Sequence, residues 1–171
     1  MNFVKSIYSS DLLLKEKEEY SYYPELILCL VFLGAVLVSY TFTDVKVWGH
    51  KTESIMDIWS IVHIATGISI SGILINLRKI CPTPLVILMV IVGYWEIYEP
   101  YFETVVHPII VEWFGGTEHW INRGFADPMC AFFGFYIVKR HPGILPYVRI
   151  FSFIFLFFHI VVLQNSMYFH L

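Results

Sequence analysis

Long apolar runs alternate with short polar connections along this chain, a pattern typical of membrane helices. A helix needs about 20 mostly apolar residues to cross a bilayer. Five segments approach this requirement, at residues 24–42, 57–76, 84–106, 127–138 and 144–171. The third contains Pro100, which is expected to bend it. The fourth is short and opens with Asp127-Pro128, an N-cap followed by proline at the first helical position. The pattern predicts an all-α polytopic transmembrane bundle of about five spans.

The remaining segments and the composition agree with that class. Residues 1–23 are expected to form a cytoplasmic segment with a short surface helix, and residues 24–171 a single bundle. Residues 107–116 are apolar but too short to cross, so we expect a surface-lying or re-entrant piece. The chain is 57% hydrophobic and only 15% charged, against about 25% charged residues in soluble domains. The net charge of -3 without a basic cluster argues against nucleic acid as a partner.

The distribution of Lys and Arg predicts the orientation of the bundle. With the N-terminus inside, eight basic residues lie on the cytoplasmic side: Lys5, Lys15, Lys17, Arg78, Lys79, Lys139, Arg140 and Arg149. Only Lys46, Lys51 and Arg123 lie on the opposite side. The positive-inside rule therefore favours a cytoplasmic N-terminus and an external C-terminus.

Three acids interrupt the third apolar run. Glu96, Glu99 and Glu103 are spaced by three and four residues, which puts them on one stripe of a helix. A carboxylate at bilayer depth costs a few kcal/mol on insertion scales, so it normally faces a protein interior or a watery cavity. Three acids in register indicate a site.

The predicted depths bring other polar residues to the same level. Since a helix rises ~1.5 Å per residue, His63 lies roughly 9 Å inside the outer edge of the second span. The residues expected to share the outer half of the bundle are Asp57, His63, Glu96, Glu99, Glu103, Asp127 and His159. His63, Gly67 and Ser71 form a four-spaced stripe, which predicts that the second span presses its histidine face against the third. We therefore expect His63 to face Glu96 and Glu99.

Several of these residues also have purely structural interpretations. In these interpretations, Asp127 would be a helix cap that pairs with Arg123 one turn earlier, Asp57 would be the cap of the second span, and Glu103 would reach water at the boundary. A histidine such as His159 is more often buried and hydrogen-bonded than a ligand. Structural interpretations are weakest for His63, Glu96 and Glu99.

In order along the chain, the polar residues read D-x5-H-x3-G, E-x2-E and W-x-N-x4-D-P-x5-G-F. This order resembles the VanZ-like group of small bacterial membrane proteins and its relatives of the YjdF inner-membrane type. The matching positions are Asp57, His63, Gly67, Glu96, Glu99, Asn122, Asp127 and Gly134, although VanZ-like chains usually carry Gln where Glu99 stands. The resemblance implies a bacterial inner-membrane protein of the cell envelope and no established reaction.

Three functions are consistent with these residues. The first is a binding or catalytic site open to the outer leaflet, in which Glu96, Glu99 and His63 act on a lipid-linked or envelope substrate, with Asp57, Glu103, Asn122, Asp127 and His159 as further binding residues. The second is a site for a divalent metal cofactor, with His63, Glu96 and Glu99 as ligands. The third is an accessory protein whose polar residues hold helices together and whose partners are membrane lipids and another membrane subunit.

Overall fold

The computed structural model describes residues 45–77, 83–114 and 116–158, together with the isolated positions 30, 33, 34, 37, 38, 41 and 161. Five α-helices lie in these ranges: α1 (Ile58–Asn76), α2 (Pro84–Thr104), α3 (Pro108–Phe114), α4 (Asp127–Arg140) and α5 (Leu145–Phe157). A π-helical segment (Asn122–Ala126) precedes α4, and a 3-10 turn (Pro142–Ile144) precedes α5. The predicted all-α class is confirmed for this part of the chain.

Two of the predicted spans are helices of membrane length. Both α1 and α2 are long and apolar enough to cross a membrane by length and composition, whereas the apolar helix over 142–157 is shorter. The bounds of α1 and α2 lie within two residues of the predicted spans 57–76 and 84–106. The predicted segment 1–23, most of the first span, and the fifth span beyond residue 158 except position 161 fall outside the described residues.

The start of α1 shows why this helix begins where the sequence predicts. Asp57 is its N-cap: the carboxylate accepts hydrogen bonds from the backbone N–H groups of Trp59 at 2.7 Å and Ser60 at 3.2 Å. The Ser60 hydroxyl in turn accepts from the Asp57 backbone N–H at 3.2 Å, which completes a capping box. These bonds satisfy N–H groups that a helix start leaves without partners. The predicted capping role of Asp57 is confirmed.

Helices α1 and α4 pack backbone to backbone at two glycines. A Cβ atom on Gly67 would lie 2.1 Å from the Ala131 carbonyl oxygen, and one on Gly134 would lie 2.4 Å from the Ile64 carbonyl oxygen. Small residues are what permit such close approach between helices. The second predicted span (α1) was expected to pack against the third (α2) along the stripe His63, Gly67 and Ser71. This prediction is wrong at Gly67, which faces α4.

The entry to α4 differs from the prediction. The helix is continuous from residue 120 to residue 140, through the π-helical segment, and Asp127 has helical backbone angles (φ -67°, ψ -46°). Asp127 is thus not the N-cap, and the predicted short span 127–138 extends several residues further at its start. Pro128 has no N–H to donate and its ring crowds the carbonyl four residues earlier. The wider π turn lies at that point, and π segments are frequent at functional sites.

A short parallel strand pair precedes α1 and was not predicted. Strands β1 (Lys46–Trp48) and β2 (Ser54–Met56) pair in parallel, with Lys46 opposite Ser54. The loop between them carries Lys51, which is buried. The Lys51 carbonyl accepts a hydrogen bond from the His119 backbone N–H at 2.8 Å. This bond holds the loop against the segment that leads into α4.

Candidate metal site between the helices

His63 lies between an acid of α2 and an acid of α4. Its Nδ1 atom is 3.9 Å from Glu96 Oε1, and its Nε2 atom is 3.5 Å from Asp127 Oδ2. The three side chains each offer a ligand atom within 4.8 Å of the others. The predicted proximity of His63 and Glu96 is confirmed, and the structure adds Asp127 on the other side of the ring.

A second triad shares Glu96 with the first. Glu96, Glu99 and Glu118 also offer ligand atoms within 4.8 Å of one another. The predicted one-face arrangement of Glu96 and Glu99 brings these two acids together, and Glu118 approaches from the segment between α3 and α4. Glu96 is thus common to both triads.

The sequence reasoning missed Glu118. It stands in a polar, non-periodic stretch, where an acid is ordinarily solvated, so no spacing rule singles it out. Gly116 has a φ of +107°, a conformation that favours glycine and turns the chain here. The position of Glu118 is a product of that turn and of tertiary packing.

Carboxylate oxygens in both triads are buried and accept no hydrogen bond from the described residues: Glu96 Oε1 and Oε2, Glu99 Oε2, Glu118 Oε2 and Asp127 Oδ2. Glu99 is 5% exposed and Asp127 is fully buried. The Ser60 hydroxyl donates to the other carboxylate oxygen of Asp127, Oδ1, at 3.4 Å. Two of these acids, Glu96 and Asp127, flank the His63 imidazole, and Glu99 and Glu118 lie beside Glu96. Burial of such charges is costly unless a cation or protons compensate them.

Glu103 has a different role from its neighbours on α2. Its carboxylate forms ion pairs with both Lys51 and Arg123 and is 2% exposed. It also accepts a hydrogen bond from the Glu118 backbone N–H at 3.4 Å. The expectation that Glu103 reaches water is wrong, because its carboxylate is buried against Lys51 and Arg123. The expected pairing of Arg123 with Asp127 is also wrong, because Arg123 pairs with Glu103.

Asn122 and Asp57, two further predicted binding residues, contact each other beside the site. The Asn122 side-chain amide donates to Asp57 Oδ2 at 3.1 Å, which connects the π segment to the cap of α1. Both residues are fully buried, and they hold α1 against the entry to α4. His159 lies outside the described residues.

A cavity of about 340 Å³ adjoins the acids. Lys51, His63, Glu99 and Glu118 line it together with apolar side chains of α1, α2, α4 and α5. Its volume falls at the lower end of the ~300–1,000 Å³ that is usual for ligand pockets. The acids therefore border a space that admits a ligand.

Glu118, which lies between the predicted spans, supports a prediction on pH. Burial, and then the negative charge of Glu99, raise the pKa of Glu118 from 4.5 to about 9. The other charged groups that act on it are Lys51, which opposes the shift, and Asp57 and Glu103, which add to it. In the folded protein Glu118 therefore keeps a proton that the unfolded chain loses above pH 4.5, so this residue lowers stability as the pH rises from 4.5 toward 9.

Glu118→Gln is expected to stabilise the metal-free protein at pH 8 by ~1–3 kcal/mol, or a Tm rise of about 2–4 °C per kcal/mol. The difference from wild type should nearly vanish at pH 5. Melting curves in a chelator from pH 5 to pH 9 measure this, with Glu112→Gln on the exposed side of α3 as the control. A difference that does not change with pH would contradict the role assigned to Glu118.

Compared with protein-family models, curated proteins and solved structures, the chain gives no match.

Proposed function

We propose that this chain is a small polytopic membrane protein that binds divalent metal ions in its buried site. The observation that carries the proposal is the pair of triads sharing Glu96, whose oxygens are buried without hydrogen-bond partners among the described residues. His63, Glu96 and Asp127 would hold one ion, and Glu96, Glu99 and Glu118 a second. Di-metal helical bundles likewise bind their ions with glutamate and histidine side chains of facing helices.

The donor set narrows the choice of ion. One imidazole nitrogen and several carboxylate oxygens suit manganese, iron or zinc in their divalent states. Divalent ions would balance the charges of Glu96, Glu99, Glu118 and Asp127. Among the described ion pairs, His63 pairs with Glu96 and with Asp127. Bound ions would polarise an oxygen ligand or lower the pKa of a bound water. The residues of the chain hold and orient the ions and keep bulk water out.

The membrane assignment rests on exposed apolar surface as well as on helix length. Helix α2 exposes large apolar side chains around most of its circumference, among them Val86, Val90 and Ile97, and α5 exposes Phe153 and Ile154. Water-soluble monomers rarely expose such contiguous apolar surface. Five spans with a cytoplasmic N-terminus, as the Lys and Arg distribution predicts, would place the site in the outer half of a bacterial inner membrane. The resemblance to VanZ-like proteins is part of this proposal.

Metal analysis of the protein purified in a mild detergent tests the function. We expect wild-type protein to bind at least one of Mn²⁺, Fe²⁺ and Zn²⁺ in calorimetric titrations. The His63→Gln variant should bind the same ion at least about tenfold more weakly, because the nitrogen ligand is lost. Glu53→Gln is the control, since Glu53 is an exposed acid that pairs with Lys46 at 3.0 Å away from the site. Wild-type protein that binds none of these ions would exclude the metal function.

A further inference from the structure

The cavity beside the acids has a polar end and an apolar end. The side chains of α1 that line it are Trp59, Val62, His63, Thr66 and Ile70, which follow one another at helical spacing. From Trp59 to Ile70 the helix rises ~16 Å. The ionisable members of the lining, Lys51, His63, Glu99 and Glu118, lie toward the Trp59 end.

Helix α2 repeats this gradient in the opposite chain direction. His63 contacts Glu96, while Leu88 of α2 belongs to the same core cluster as Ile75 of α1, so the two helices run antiparallel. Along α2 the lining therefore changes from Ile91 and Val92 at the apolar end to Glu99 at the polar end. Each helix thus places its one ionisable lining residue, His63 or Glu99, toward the Trp59 end of the cavity, and neither places one at the opposite end.

The side wall of the cavity reaches the outer surface of the bundle. Ile91 of α2 is 40% exposed, and Trp95 of α2 and Leu156 of α5 are similarly exposed although all three line the cavity. The neighbouring surface of α2 is apolar, with Val90 and Tyr94 exposed. A ligand that enters here comes from an apolar surrounding rather than from water.

We infer that the cavity binds one alkyl chain of a membrane lipid, whose phosphate head lies at the acidic end and coordinates the bound metal. This inference rests on the proposed metal function, because four carboxylates without metal would repel a phosphate. Divalent ions accept hard anionic oxygens such as those of phosphate. Lys51, which pairs with Glu103, lies at the same end, with its Nζ atom 5.3 Å from the Phe114 ring centre. The apolar end takes the chain, since burial of each CH₂ group favours binding.

Calorimetric titration of the Mn²⁺-loaded protein in lipid nanodiscs with dodecyl phosphate tests the inference. We expect dodecyl phosphate to bind at least about tenfold more tightly than inorganic phosphate, because the chain buries CH₂ groups. Ile91→Trp should remove at least about 90% of that advantage by filling the cavity, while Mn²⁺ binding stays unchanged. Val90→Trp is the matched control, since Val90 is the neighbouring residue, is more exposed and does not line the cavity.

The possible results separate this inference from the proposed function. Equal affinities for dodecyl phosphate and inorganic phosphate in a protein that binds Mn²⁺ would overturn the alkyl-chain site and leave the metal function standing. Equal effects of Ile91→Trp and Val90→Trp would also overturn it. The position of the phosphate at the metal would be overturned by either of two results. One is an affinity for dodecyl phosphate that is the same with and without Mn²⁺. The other is an affinity for dodecyltrimethylammonium equal to that for dodecyl phosphate. Failure of wild type to bind any of the three metals would reject both proposals.

Discussion

Glu96→Gln is expected to lower the affinity for Mn²⁺ by about 100-fold or more, since loss even of a residue that only supports a metal ligand costs 10- to 100-fold. Glu96 belongs to both triads, so its replacement removes a ligand from each. By comparison, Asp127→Asn alters only the His63 triad, and Glu118→Gln alters only the triad with Glu99. We expect both of these variants to keep more affinity than Glu96→Gln.

Folding of Glu96→Gln should be intact without metal. Neither Glu96 oxygen accepts a hydrogen bond from the described residues, so the neutral amide removes a buried charge and no hydrogen bond. We expect the metal-free variant to melt at the same temperature as wild type or higher. Titration calorimetry measures the affinity, and Glu112→Gln on exposed α3 is the control. A Glu96→Gln variant that binds Mn²⁺ within threefold of wild type (about 0.7 kcal/mol) would refute the central role of Glu96.

Glu103→Gln is expected to destabilise the protein by ~3–5 kcal/mol, the usual cost of removing one partner from a buried ion pair. Its carboxylate pairs with both Lys51 and Arg123, and the variant would leave the buried Lys51 and the partly buried Arg123 without this anion. The same substitution loosens the contact between the β1–β2 loop and the segment before α4. Glu103 thus stabilises the fold, in contrast to Glu96 on the same helix face.

Denaturant titration of the metal-free protein measures this loss. Glu53→Gln breaks the ion pair of Glu53 with Lys46, which is more than half exposed, and should cost at most about 1 kcal/mol. A loss of less than 1 kcal/mol for Glu103→Gln (about a fivefold change in the folding equilibrium) would show that the buried ion pairs do not stabilise the fold. A metal affinity that falls in Glu103→Gln as far as in Glu96→Gln would show that Glu103 is itself part of the metal site.

Part of the candidate site could be predicted because it depends on periodicity within single helices. The spacing of Glu96, Glu99 and Glu103 places them on one face whatever the rest of the fold does. The depths of His63 and Glu96 follow from helix rise and from the direction of each span. The contact between these two residues was therefore accessible from the sequence.

Other parts were wrong or missing because they depend on contacts between elements. Asp127-Pro128 has the sequence of a helix start, but the helix continues backward from it through a π turn, which aims the carboxylate at His63. Arg123 lies one turn from Asp127 in sequence yet pairs with Glu103 on another helix. Local rules favour the near partner, and packing supplied a different one.

The sequence by itself determined the helical class, the extents of α1 and α2, the cap at Asp57 and the acidic stripe of α2, since each follows from periodicity, run length or local hydrogen bonding. Only the tertiary structure decided which acids form the site. The close approach of α1 and α4 at Gly67 and Gly134 brings Asp127 to His63, and the turn at Gly116 brings Glu118 to Glu99. Such distances depend on which surfaces pack together, and no spacing along one chain segment contains that information.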